Sequence, residues 1–379
     1  MWREEDDLQS MLRESVDRYA AAHATLACFR RSQKSGEGFD PGKWREMAAL
    51  GWTGMFLSEA AGGTALGLDP ALALAAAAGR HLIREPFVAS AVIAATVLDG
   101  AQAPAARDLA RALAAGEAIV VLVDQEEVGA IEPAAPLARI EPAGPRNVLN
   151  GRKLFVPAWT PDARLLVTAR LDGAPAIVAV GADTAGIAAE THRMTDGTIC
   201  AHLAFNGVEL GRDQIILTGQ EAADAVELAI ARGRLALAAQ LEGAAHRLLA
   251  LTCDYLGQRE QFGAPLAHFQ AVRHALVARH LEIELAGASW RSAAAALRDG
   301  LSTETKIRIS AAKARASDAA LGMARSAVHF HGAFGFTEEA DIGLYLNAVL
   351  RWASWLGNPD LLRQHALALA ELEERATCR

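Results

Sequence analysis

Tyr255-Leu256-Gly257-Gln258-Arg259-Glu260-Gln261-Phe262-Gly263-Ala264-Pro265-Leu266-Ala267-His268-Phe269-Gln270-Ala271-Val272-Arg273-His274 is the stretch on which the reading of this chain turns. Before it, Asp224 to Leu256 is one long amphipathic helix candidate. After it, apolar periodicity marks helices from about Phe269 to Arg298, Thr303 to Phe330 and Ile342 to Ala353. Pro359 interrupts before a last helix through Leu372. Towards the N-terminus the character changes. Ala118 to Val123, Arg164 to Ala169, Ala176 to Val180 and His202 to Val208 are short apolar or alternating runs, punctuated by Gly and Pro, and read as strands. The first part is helical again. Leu8, Met11, Leu12 and Val16 share one helix face, and Asp40-Pro41 reads as an N-cap followed by proline at the first helical position. That helix stops at Gly51, Pro70 opens another, and Pro86 breaks the next stretch. We expect an N-terminal helical domain over 1–115, a middle β domain (barrel or sandwich) over 116–215 and a C-terminal helical bundle over 216–379. The fold class is mainly α with a central β domain, an uncommon order.

Composition narrows the function. The chain has 379 residues, 52% hydrophobic and rich in Ala and Leu, which is ample for a large core. Its formal net charge of -8 argues against nucleic acid as a general partner. The cysteines, Cys28, Cys200, Cys253 and Cys378, are far apart and form no CxxC pair, so no zinc site or disulfide framework is expected. Metal chemistry has no HExxH or clustered Cys/His set to support it, and no Walker loop, GxGxxG or GxSxG is present. The N-terminus carries Glu4, Glu5, Asp6 and Asp7 and no apolar signal core. We expect a soluble, cytoplasmic protein with no membrane partner.

A second run, His331-Gly332-Ala333-Phe334-Gly335-Phe336-Thr337-Glu338-Glu339, is followed by Ile342 and Leu344-Tyr345. Two fainter ones precede it: Leu50-Gly51-Trp52 with Ser58-Glu59-Ala60-Ala61-Gly62-Gly63, and Gly151-x-Lys153 with Leu166 to Arg170. Alone, the first motif is a helix ending at glycine and the second a turn. Together and in this order they resemble the acyl-CoA dehydrogenase family, over nearly the whole chain. The resemblance implies an acyl-CoA dehydrogenase-like fold whose C-terminal part is a four-helix bundle. It implies FAD as cofactor, an acyl-CoA thioester as substrate and electron-transfer flavoprotein as electron acceptor. It also implies a homo- or hetero-oligomer, a dimer of dimers, in which both motifs reach FAD held mainly by a neighbouring chain. Arg259 then offers a planar fork of donors to the FAD diphosphate, with Gln261 and Phe262 beside the adenine end. Gln270 adds an amide, His329 stands where the family has Gln, and Gly332 and Gly335 admit close backbone approach. The family Arg matched by Arg234 lies near substrate; the alternative is a helix-surface Arg paired with a residue such as Glu227. Trp352 and Trp355 read as core or as pocket lining.

The chain departs from the family where the reaction needs chemistry of its own. Acyl-CoA dehydrogenation removes the α-proton of the thioester and passes the β-hydride to flavin, so it needs a carboxylate base. The two positions the family uses correspond to Gly233 and Gly357. Asp360 is a candidate for the base at the Gly357 position if its loop is rearranged; otherwise it caps the following helix. Glu242, further along the long helix, reads as a surface or packing residue. The flavin-facing strand ends carry Val123-Asp124-Gln125-Glu126-Glu127 and Phe155-Val156-Pro157, and Pro157 has no N–H to donate. The motifs lent to a neighbour are intact and those serving the chain's own site are eroded. Two readings result: a dehydrogenase acting by an unusual base, or a non-catalytic subunit completing a partner's FAD site, as in the paired bacterial enzymes that shorten steroid side chains.

Overall fold

The computed structural model describes residues 7–35, 38–131, 136–143 and 146–377; Glu4, Glu5, Asp6 and Cys378 lie outside them. Six helices come first: α1 (Asp7–His23), α2 (Leu26–Ser35), α3 (Pro41–Ala49), α4 (Leu68–Arg80), α5 (Ala95–Asp99) and α6 (Pro104–Ala114). Next come eight strands: β1 (Val120–Val123), β2 (Arg139–Ala143), β3 (Arg146–Pro157), β4 (Arg164–Leu171), β5 (Ala174–Gly181), β6 (Ile187–Arg193), β7 (Ile199–Leu210) and β8 (Ile215–Thr218). The chain then runs through α7 (Gly219–Gln258), a small hairpin of β9 (Glu260–Gln261) and β10 (Ala264–Pro265), α8 (Gln270–Arg298), α9 (Thr303–His331), α10 (Ile342–Ser354) and α11 (Pro359–Thr377). The expected order of helices, sheet, helices is the observed one, and no helix among the described residues is long and apolar enough to cross a membrane.

The chain divides into two compact units. One comprises 31–71 and 84–233. It holds the eight-stranded sheet, ordered β6-β7-β3-β2-β4-β5-β8, with β1 parallel to β4 off that path. Asp40 caps α3 as expected, its carboxylate accepting from Gly42 N at 2.8 Å. Helix α4 ends at Arg80, and Pro86 immediately precedes the next segment, Phe87–Ala94, which is π-wound and buried at every residue. Ser90 Oγ within it donates to Val120 O at 2.6 Å, tying the segment to β1. Strands β2, β6 and β8 were not among those expected, and β3 was expected only at its Phe155-Val156-Pro157 end. β6 is polar and exposed along most of its length, and β3 is interrupted by register shifts, so neither shows a clean apolar alternation.

The other unit comprises 1–30, 72–83 and 234–379. Its core is helix on helix, and α4 and α7 cross in backbone contact. A Cβ on Gly79 would lie 2.0 Å from Gln240 O, and one on Gly243 would lie 1.9 Å from Ala76 O. Helix α4 starts at Leu68, two residues before Pro70, which sits in the first turn where its missing N–H has no partner to lose. On α8, Val277, Leu281 and Leu285 recur at a spacing of four and are all exposed, an apolar row along one side of the helix.

Gly243→Ala is expected to force α4 and α7 apart and lower stability by about 2–3 kcal/mol. Gly257→Ala, at a helical position with nothing within 4 Å of the new methyl, is expected to raise it by about 0.5–1 kcal/mol. Urea unfolding of the two variants measures the contrast.

Candidate functional site

Arg259 comes just after the last turn of α7, its N–H bonded to Tyr255 O at 2.8 Å and its carbonyl accepting from Leu266 N at 2.8 Å. That closes the β9–β10 hairpin, in which Gln261 opposes Ala264 across a two-residue turn. The turn residues, Phe262 and Gly263, have φ of +56° and +80°. Two left-handed residues are what a type I′ turn requires, and Gly263 meets that at no steric cost. Phe262 does not: an aromatic residue is strained there. Its ring is 92% exposed, edge-on to Phe269 at 6.2 Å. Beside it the Arg259 guanidinium is exposed and has no ion-pair or hydrogen-bond partner among the described residues. Gln261 is exposed, and Gln270 opens α8 with its amide 3.4 Å from His274 Nε2.

The structure brings the second motif to the first through an aromatic stack. Tyr255 lies 4.1 Å from the His331 ring at 18°, and 6.2 Å from Phe334. His331 is buried, with Nδ1 against Ala327 O at 2.8 Å, and burial lowers its pKa. Gly332 ends α9 at φ +60°, where a side chain is disfavoured. Gly335 answers to packing: a Cβ there would meet Val328 O at 2.7 Å. His329 is exposed on the last turn of α9, as are Phe334 and Phe336 beyond it.

The positions matched to the family base tell a different story. Gly357 is buried at φ +109°, and Leu356 before it is at φ +57°. Arg234 is no surface residue: it is buried, and its Nε donates to Leu356 O at 3.1 Å, so the helix-surface alternative does not hold. Sequence reasoning missed Lys313. It is fully buried on α9, and its ammonium donates to Ser317 Oγ (3.0 Å), Trp352 O (3.0 Å) and Ala353 O (3.2 Å). All three protons are thereby used. Burial, with Arg234 adding repulsion, brings its pKa down to about 7. The available signal was its place on the face formed by Ile309, Ala316 and Ala320, all buried. Thus the side chains fixed at this loop are basic residues and not carboxylates.

The carboxylates are elsewhere. Asp360 is exposed and pairs with Arg363 at 3.2 Å; the cap of α11 is Asn358, whose Oδ1 accepts from Leu361 N at 3.0 Å. Glu242 is buried rather than on the surface, receiving Trp290 Nε1 at 3.0 Å and Arg291 Nη2 at 3.1 Å. Trp352 is buried and Trp355 half-buried beneath the Arg351 guanidinium at 5.4 Å. Gly233 is buried on α7. Its neighbour Arg232 donates to Thr96 Oγ1 at 3.2 Å and lies over the Phe56 ring at 4.9 Å. Glu85, also missed, is buried, and desolvation raises its pKa against the pull of Lys43 and Arg84. In the sheet, the segment expected to face flavin is tied to its own unit. Glu126 pairs with buried Lys153 at 2.8 Å and accepts from Ala138 N at 2.8 Å, while Gln125 O accepts from Leu154 N at 2.8 Å. Phe155 stands at φ +53° with its ring edge-on to His202.

The family model for the acyl-CoA dehydrogenase N-terminal domain matches residues 6–117, and that for the C-terminal domain matches 223–368. Acyl-CoA dehydrogenase IpdE2 of Mycobacterium tuberculosis is 26% identical over 358 residues, covering 94% of this chain and 95% of its own. A chain of a variant of the Tcur3481-Tcur3483 steroid ACAD is 30% identical, with a TM-score of 0.87 over 97% of this chain and 98% of its own. The ChsE4-ChsE5 complex from Mycobacterium tuberculosis shares the fold, with a TM-score of 0.88 at 24% identity over 98% of this chain and 99% of its own. Fold and motifs are those of a flavoprotein oxidoreductase of lipid metabolism. The chain belongs to the acyl-CoA dehydrogenase family, whose members depend on FAD.

Two outcomes test the geometry without any ligand. Phe262→Asn suits the left-handed turn better and is expected to raise thermal stability, by about 1 kcal/mol. For Lys313, between pH 7 and the ordinary lysine value of 10.5 the unfolded chain holds a proton that the folded chain has released. Stability therefore rises with pH across that window, by roughly 1 kcal/mol per unit. Urea midpoints from pH 7 to 9.5 are expected to show this rise in the native chain and not in Lys313→Met.

Proposed function

We propose that this chain is the non-catalytic partner in a heteromeric FAD-dependent acyl-CoA dehydrogenase, completing the FAD site of a catalytic chain. The observation that carries the reading is the pair of glycines at both base positions, Gly233 and Gly357. Gly357 is held at φ +109°, where an L residue is strained. Beside its loop stand Arg234 and Lys313, whose donors are turned to the backbone carbonyls of Leu356, Trp352 and Ala353. Arg234 is the candidate for substrate contact.

The residues present fit an FAD reached from outside this chain. Arg259 has a free guanidinium fork for a diphosphate. Phe262 is an exposed aromatic face held out at the cost of backbone strain, and strain of that kind gathers at binding sites. Gln261, Gln270 and His329 supply further polar groups, and Gly332 and Gly335 shape the turn that approaches the nucleotide. FAD, when bound, supplies the hydride acceptor of the dehydrogenation. This chain's residues bind and orient it, and the base belongs to the partner. The chain's own flavin-facing segment, closed by the Glu126–Lys153 pair and lacking an N–H at Pro157, supports the division of labour. The substrate class is an acyl-CoA with a bulky, steroid-type acyl group, by likeness to the steroid ACAD. Electrons pass on to electron-transfer flavoprotein, as in the family.

Co-expression with a neighbouring acyl-CoA dehydrogenase gene is expected to give a yellow complex with about one FAD per two chains. In that complex Arg259→Gln is expected to weaken FAD retention by about tenfold or more, the loss of one hydrogen bond to a charged group. A yellow homo-oligomer of this chain alone that oxidises an acyl-CoA overturns the proposal and makes Glu85 the carboxylate to substitute first.

A further inference from the structure

We propose that Glu190, His192 and His202, on one face of the β6–β7 ladder, form a binding site for a first-row divalent cation of the Zn2+ type. None of the three takes part in the function proposed above. In the register of the two strands Glu190 lies opposite His202, and His192 lies opposite Cys200. Residues two apart on a strand share a face, so the carboxylate and both imidazoles meet on the same side of the ladder. One ligand atom from each of the three lies within 4.8 Å of the other two. The His192 and His202 rings are 4.4 Å apart, tilted by 51°, and the edge of Phe155 against His202 at 4.9 Å backs that ring.

The polar atoms facing one another here are unsatisfied. Nε2 of His192 and Nε2 of His202 are both buried, and neither has a hydrogen-bond partner. A buried nitrogen in that condition is costly and calls for an occupant. The carboxylate does not fill the role: Glu190 Oε1 stands 3.6 Å from His192 Nε2, too far for a hydrogen bond. That spacing suits two ligands of one cation. With bonds of about 2.0–2.1 Å, tetrahedral ligands sit about 3.3 Å apart. Two neutral imidazoles and a carboxylate are borderline donors that suit Zn2+ and its neighbours, and three protein ligands leave one coordination position open. Cys200, opposite His192 in the register, has its Sγ 3.3 Å from Met194 Sδ.

The full chain, alone or in its co-purified complex, is titrated with Zn2+ against a chromophoric chelator at neutral pH. One Zn2+ per copy of this chain is expected. His192→Ala and His202→Ala are each expected to weaken binding by at least about tenfold with an unchanged circular dichroism spectrum. A second grouping of possible ligands, His246, His280 and Glu284, serves as the control: His280→Ala is expected to leave the affinity as it was. X-ray absorption of the Zn2+-loaded native chain gives a reading independent of any variant, and it is expected to show two imidazoles and oxygen. Absence of stoichiometric uptake, affinity undiminished in the His192→Ala/His202→Ala double variant, or a sulfur-dominated first shell would each overturn the proposal.

Discussion

The buried ammonium of Lys313 is the constraint around which the C-terminal helices are arranged. A fully buried lysine stays folded only if its protons find acceptors, and here two of them are the carbonyls of Trp352 and Ala353, in the last turn of α10. Those carbonyls have no intrahelical partner, so the lysine satisfies the helix end while the helix end satisfies the lysine. The same turn leads into Leu356, whose carbonyl takes the Arg234 bond. Three elements, α7, α9 and α10, therefore converge on one short stretch of backbone. The conformation of Leu356 and Gly357 is a product of that convergence.

On the proposed reading, the consequence for chemistry is a site with a fixed floor and a base supplied by another chain. Two basic residues secure the loop in which the family keeps a carboxylate, and the buried carboxylates elsewhere are either engaged, as Glu242 is by Trp290 and Arg291, or away from this loop in sequence, as Glu85 is. The exposed hairpin keeps the Arg259, Gln261 and Phe262 set. Erosion of one set of residues beside retention of the other is the pattern that the proposed non-catalytic role expects.

Much of this was legible in the sequence. Helices α7 to α11 could be read from their apolar period, and the two motifs identified the family because their residues lie in continuous runs. What escaped notice depends on pairings distant in the chain. Strand β6 carries exposed polar residues on both faces, and β2 has a single buried residue, Ile140, so period-two reasoning had little to detect. The burial of Arg234 and Lys313 depends on a carbonyl-lined pocket built by α10, more than thirty residues beyond Lys313. Asp360 was read as a cap of the last helix, yet Asn358 precedes Pro359 and takes the position. The imidazoles of His192 and His202 become neighbours only through the β6–β7 register, and spacing along the chain gives no sign of it.

The row formed by Val277, Leu281 and Leu285 on α8 has a consequence for how the chain keeps its fold. Apolar side chains repeated down one helix and left in water favour association, and whatever covers them adds to the folded state by mass action. A surface that covered this row would therefore add to the stability of the fold, and without one the row stays in water.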